Sequence, residues 1–142
     1  MALLNDRDAT EIKKLFEGLG GPVKLVVFSS ELTNGDLCRQ NEALAREVAA
    51  LDERITVEIL NPNIDRDRAA AYHADQVPAI VVEGARDYGL RFFGVPSGYE
   101  FSNLIDAIII ASTGQASLSA ETKEALAALV DDVEIKVFST PT

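Results

Sequence analysis

Reactive side chains are scarce in this chain, and their types and spacing limit the chemistry it can do. It contains one cysteine, Cys38, and one histidine, His73. A lone cysteine allows no internal disulfide, no Cys-x-x-Cys redox pair and no cysteine-rich zinc site. Cys38 follows a polar turn, close to where a helix should begin. The positive end of a helix favours thiolate, which would make it a reactive monothiol. The cap falls at Thr33 or Asn34, however, so Cys38 sits about one turn inside and reads better as a small, semi-buried hydrophobe. His73, between Tyr72 and Ala74, has no visible ligand partner and reads as surface or packing. Asp6, Asp8, Glu11, Asp65, Asp67 and Asp75 show no paired, metal-like spacing and read as solvated faces and caps. Gly18-Leu19-Gly20-Gly21 closes a helix, the wrong context for a phosphate cradle. No metal or cofactor is expected. A further candidate is Val77-Pro78, a proline just ahead of a strongly β-prone run.

Composition narrows the classes further. The chain has 142 residues, enough for one domain or one domain and a fragment. Thirteen Lys and Arg stand against 23 Asp and Glu, a net charge of −10. A phosphate backbone demands a basic stripe and an anionic membrane a basic patch, so neither nucleic acid nor membrane is an expected partner. The longest apolar stretch, around Ile108-Ile109-Ile110-Ala111, is too short to span a bilayer. The N-terminus lacks the basic and apolar regions of a signal peptide, so a cytoplasmic protein is expected, consistent with an unpaired cysteine.

The elements that must position these residues follow from periodicity. Ile12, Leu15, Phe16 and Leu19 mark a helix starting near Asp8 or Thr10 and stopped by Gly20-Gly21-Pro22. Val23–Phe28 is nearly continuous in apolar residues, as in a central strand covered on both faces. A helix to about Asp52 carries the stripe Leu37, Leu44, Val48 and Leu51, with an Ala-rich background of high propensity. Ile55–Leu60 alternates like a strand with one wetter face. Residues 65–74 predict a short polar helix. Residues 79–82 and 90–93 predict a hairpin about the turn Glu83–Asp87. Phe101, Leu104, Ile105, Ile108 and Ile109 form the best helical stripe in the chain, over 99–112. The Arg91-Phe92-Phe93 run reads as core packing within its strand. Ser119 caps a further helix reaching Leu129, and Val133–Phe138 alternates as a last strand.

Strand–helix alternation in the first half requires parallel pairing, and the close pair near 79 and 93 requires an antiparallel hairpin. A mixed four-stranded sheet with helices on both faces, an α/β fold of thioredoxin type, satisfies both. The last helix and strand are left over, and they echo the start of the chain. Shifted by 110 positions, residues 9–30 fall on 119–140. Glu11, Lys13, Leu19 and Val23 then meet Glu121, Lys123, Leu129 and Val133, and Val27-Phe28-Ser29 meets Val137-Phe138-Ser139. The register is ungapped across two element types, so the chain opens a second copy of its own fold. The expected division is a first unit at 1–114 and the opening helix and strand of a second at 115–142, cut before its active-site loop.

The run Gly89-Leu90-Arg91-Phe92-Phe93-Gly94-Val95-Pro96-Ser97-Gly98-Tyr99-Glu100-Phe101 resembles a segment of the first unit in tandem-thioredoxin proteins. Two groups carry it: the prokaryotic glutaredoxin-like protein disulfide oxidoreductases, and the N-terminal domain of the alkyl hydroperoxide reductase flavoprotein subunit. The resemblance implies a thiol redox role. It also implies that Phe138-Ser139-Thr140-Pro141-Thr142 is the run that precedes Cys-x-x-Cys in the second unit. In the loop Ser29–Cys38, Cys38 falls near the second cysteine place and Gly35 near the nucleophilic first. Pro78 corresponds to the cis-proline beside which these folds pair their backbone with an extended peptide substrate. The expected function is therefore a non-catalytic unit of a disulfide oxidoreductase or peroxiredoxin-reducing system, with the reactive dithiol outside this chain. Its partner would be a second thioredoxin-like unit or a partner redox protein. Two alternatives stand beside it: a redox-dead interaction module, homodimeric through strand 133–138, and a monothiol sensor at Cys38.

Overall fold

The computed structural model describes residues 3–140; Met1, Ala2, Pro141 and Thr142 lie outside the described residues. The elements run α1 Asp6–Phe16, β1 Val23–Phe28, α2 Gly35–Ala49, β2 Ile55–Leu60, α3 Arg66–Ala71, β3 Ala79–Glu83, β4 Asp87–Phe93, α4 Tyr99–Thr113 and α5 Ala120–Ala127. The sheet order is β2-β1-β3-β4. β1 pairs parallel with β2, Val23 opposite Ile55 and Phe28 opposite Leu60, and antiparallel with β3, Val26 opposite Val81. β3 and β4 close the antiparallel hairpin, with a shift of register at Val82/Glu83. The expected mixed four-stranded sheet is present.

The pleat sorts the central strands onto two cores. Leu25 and Val27 of β1, with Ile80 and Val82 of β3, face α1, α2 and α4, which contribute Phe16, Leu44, Val48, Leu104 and Ile108. Val26, Phe28 and Val81 face the other way, where Ala69 of α3 and the partly buried Tyr72 cover them. Fully burying side chains of this size is worth about 1.5–3 kcal/mol each. The near-continuous apolar run of β1 thus reflects cover on both faces.

Local geometry ties the layers together. Arg54, just before β2, holds Asp52 at 2.7 and 2.8 Å and donates to the carbonyls of Phe16 and Leu19 at 2.7 and 2.9 Å. It thereby ties the turn that follows α1 to the start of β2. That bidentate partner holds the Asp52 carboxyl down to about 2. Gly84, where the hairpin turns, lies against α4 so closely that a β-carbon would fall 1.9 Å from the carbonyl oxygen of Ala111. Asn41 is fully buried on α2, and neither amide atom has a hydrogen-bond partner among the described residues.

Several expectations need correction. α1 starts at Asp6, where Asn5 accepts from the Asp8 amide as the cap. α3 is six residues long, ending before the expected 74. The buried stripe of α2 is Cys38, Asn41, Leu44, Ala45 and Val48, and Leu37 is half exposed. Hydrophobicity misled here: Leu37 and Leu44 both lie within reach of an apolar face, but the polar Asn41 fixes the phase. Phe93 is also half exposed, on edge strand β4, while Phe92 packs on the core. Ser119 does cap α5, accepting from the Thr122 amide, but the helix stops at Ala127, short of Leu129. Residues 133–138 form no strand, and every residue from 115 to 140 is exposed. A strand needs a neighbour to receive its backbone hydrogen bonds, and none lies beside this one among the described residues. No helix of the described residues is long and apolar enough to cross a membrane.

Gly84→Ala is expected to destabilise the protein by about 1–3 kcal/mol, since backbone must move to admit the methyl group. A lower urea midpoint at unchanged slope is the readout. Asp52 is depressed in the folded state, so its contribution is present above the unfolded carboxylate range and lost as pH falls towards 2. Asp52→Asn should lower stability at neutral pH and flatten its decline between about pH 5 and 2. Urea midpoints across that range would show it.

Candidate functional site

β1 ends at Phe28, and the chain then forms the loop 29–34 that leads into α2. The antiparallel pairing of β3 brings the segment 73–78 alongside, because Ala79 lies opposite Phe28. Two stretches far apart in sequence therefore meet at one end of the sheet. Between them lies a cleft of about 980 Å³, whose walls include Thr33, Asn34, Arg66, Ala70, His73 and Val77. Among the described residues, two non-glycine positions have positive φ, Asn34 at 55° and His73 at 53°, and both line it. Such conformations cluster where surrounding structure holds a functional geometry.

The Val77–Pro78 peptide bond is cis. Pro78 is buried, and its carbonyl accepts from the Gly94 amide at 2.9 Å. Gly94 has φ +96°, a backbone state that other residues rarely adopt, which accounts for a glycine at this place in the motif. Arg91 acts on the same segment. Its Nε donates to the Tyr72 carbonyl at 2.9 Å, and its guanidinium pairs with Asp87 at 2.5 Å. The guanidinium groups of Arg68 and Arg91 both lie 5.7 Å from the centroid of the Tyr72 ring. Burial, and then the bond from its hydroxyl to Glu83 at 2.5 Å, raise the Tyr72 phenol above its ordinary range. Arg91 is thus a brace that anchors the end of α3 and the cleft wall to β4.

Cys38 is 1% exposed. Its thiol donates to the Thr33 carbonyl and accepts from the Ser30 amide, each at 3.4 Å. Three residues earlier stands Gly35, the first residue of α2. The side chain of Asn34 does not cap this helix; its amide donates across the cleft to the Val77 carbonyl at 2.9 Å. Neither Thr33 nor Asn34 caps by its side chain, so the expected capping is replaced. Ser29 donates to Glu42 at 2.5 Å, and Arg39 bridges Glu31 and Asp36. The structure therefore brings Cys38, Val77 and Pro78 to one end of the sheet and buries the thiol beneath the loop. His73 is exposed on the cleft wall. The sequence marked Asn34 only as a helix cap and Arg91 only within a packing run and a motif, not as parts of this cleft. An Asn-Gly pair is a standing signal for left-handed backbone, and it was present at Asn34-Gly35.

A sheet of order β2-β1-β3-β4, a cis-proline facing the β1–α2 loop and helices on both faces decide the architecture. The chain is a thioredoxin-like unit. Solved structures agree. The alkyl hydroperoxide reductase AhpF of Enterococcus faecalis superposes with a TM-score of 0.80 at 23% identity, over 89% of this chain and 61% of that one. A protein disulfide oxidoreductase of Aeropyrum pernix gives 0.75 at 21%, over 88% and 55%. In sequence, the unit is 23% identical over 134 residues to the corresponding alkyl hydroperoxide reductase protein of Pseudomonas aeruginosa. The match takes in 91% of this chain and spans only 22% of the length of that relative. No family model matches. The thioredoxin-like unit thus resembles the first unit of the tandem proteins, in line with its Gly89–Phe101 motif.

Native Cys38 should be alkylated by iodoacetamide at least about a hundredfold more slowly than in guanidinium, because the thiol must be exposed by opening before it can react. Mass spectrometry over a time course measures this. Rapid native labelling would reinstate the monothiol sensor.

Proposed function

We propose that this unit is a non-catalytic partner in a thiol–disulfide redox protein, with the reactive dithiol outside residues 1–142. Residues 1–114 form the unit, and 115–142 belong to the opening of a second one. The observation that carries the reading is the state of the loop: its one cysteine, Cys38, is buried, and Gly35 three residues earlier offers no thiol; on the resemblance these fall near the second and first cysteine places. In exchange, a thiolate attacks one sulfur of a disulfide and the other sulfur leaves as a thiolate. A second thiol then closes the new disulfide, so two electrons and two protons pass on. That sequence needs two thiols in one loop. Cys38 alone would stop at the mixed disulfide, and its burial withholds even that. What the unit retains is the docking geometry: a cleft walled by the loop, by α3 and by the cis-proline segment. The neighbouring dithiol would serve a protein disulfide or a peroxiredoxin, in a cytoplasmic setting suited to an unpaired thiol.

A second reading has its own observation. Val133, Ile135, Val137 and Phe138 are all at least 63% exposed, an alternating apolar segment with no sheet to join among the described residues. Unpaired strand-forming segments add to another chain's edge. On this reading the protein is a redox-dead interaction module that pairs with itself through 133–138.

Insulin reduction driven by dithiothreitol tests the first reading. The wild-type chain should leave the background rate unchanged. Gly35→Cys supplies a thiol three residues before Cys38, where an added β-carbon meets only the side-chain tips of Glu31 and Arg39, at 3.3 and 3.4 Å. That variant should exceed background. Turnover by the wild type would overturn the non-catalytic assignment. Sedimentation at micromolar concentration tests the second reading; a dimer lost on Val137→Lys supports it, and a monomer counts against it.

A further inference from the structure

Asn34 behaves unlike an ordinary residue at the start of a helix. A capping side chain there turns back onto the first amides of its own helix, in extended backbone. Asn34 is left-handed instead, with φ 55° and ψ 37°, and makes no side-chain cap bond to α2. Its Nδ2 reaches 43 residues along the chain to the Val77 carbonyl, at 2.9 Å. Both residues line the same cleft, and Asn34 is exposed while Val77 is half-buried.

The acceptor is the important half of this bond. An extended chain laid antiparallel beside a single residue exchanges two bonds with it, one to its carbonyl and one from its amide. Val77 precedes the cis-proline and lies outside β3, so no strand of the sheet uses its backbone. Its N–H has no hydrogen-bond partner among the described residues, and its carbonyl is held by the Asn34 amide. A primary amide on a side chain presents the same N–H donor that a peptide backbone would bring. We propose that the Asn34 side chain is a built-in competitor for an extended peptide, closing the Val77 carbonyl until it is displaced. The proposal rests on the docking role given above to the cleft and names how that role is regulated. A peptide that enters must first break the Asn34–Val77 bond, and it gains only the difference between the two bonds. The Val77 N–H remains open for first contact, so an arriving chain engages one group before it displaces the latch.

The test uses reduced, S-carboxymethylated insulin B chain as the probe, an extended peptide with no free thiol. Its binding is followed through the backbone amide signals of Gln76, Val77 and Ala79 in isotope-labelled protein. Asn34→Gly removes the donor and keeps a residue at ease with positive φ. Asn34→Asp keeps the shape and replaces the donor with an acceptor. Both variants should bind the probe about three- to tenfold more tightly than wild type, tenfold being 1.4 kcal/mol. Equal affinity in all three proteins, with those amide signals shifting, would overturn the latch and leave the docking cleft standing. Weaker binding by the variants would make Asn34 a contact and overturn the latch as well. Unmoved signals at Gln76, Val77 and Ala79 in all three would remove the docking cleft itself, and the latch with it.

Discussion

The position of β1 governs the rest of the molecule. It is flanked by a parallel neighbour, β2, and an antiparallel one, β3, and it is buried on both faces. Parallel pairing with β2 forces the chain to cross over through α2, and antiparallel pairing with β3 fixes where the 73–78 segment arrives. The cleft is a by-product of those two pairings. Moving β1 by one residue would exchange Leu25 and Val27 for Val26 and Phe28 across the two cores, so the register is firmly set. The loop at the end of β1 starts from that fixed register, which sets Asn34 across from Val77, 2.9 Å from its carbonyl.

The family motif acquires a physical meaning from the same geometry. Gly94 supplies the amide that pairs with the Pro78 carbonyl, and Arg91 ties the Tyr72 carbonyl and Asp87 into one brace. None of these groups could carry thiol chemistry. They hold a backbone segment in place, beside a loop that leads into Gly35 at the start of α2 and covers the buried Cys38 thiol. A unit that keeps the support of a docking surface without the reactive group is consistent with the docking role proposed.

Much of the fold was legible because burial leaves a direct trace in the sequence. β1 and β3 are short apolar runs bounded by turn residues, and α4 carries its stripe at clean helical spacing. Where the trace failed, the reason is local. In α2, the side chain that fixes the buried face is Asn41, a polar residue at a core position, so reading apolar residues alone placed Leu37 inside. For 133–138, alternation of Val133, Ile135 and Val137 tells which side chains share a face and nothing about whether a neighbouring strand exists. The candidate residues Cys38, Val77 and Pro78 were named from residue type together with the resemblance to the tandem-thioredoxin proteins. The bond between Asn34 and Val77 was not, because it joins residues 43 apart in sequence and depends on a left-handed backbone at Asn34.

The burial of Cys38 has a bearing on chemical wear. A thiol 1% exposed and hydrogen-bonded on both sides is shielded from peroxide while the fold is closed, which slows its entry onto the ladder from sulfenic to sulfonic acid. It also cannot intercept a passing dithiol or trap a half-reacted partner. In an assembly that passes electron pairs between sulfurs, as proposed for this unit, a surface cysteine beside the route would be a short circuit. Enclosed as it is, the sulfur stays off that route.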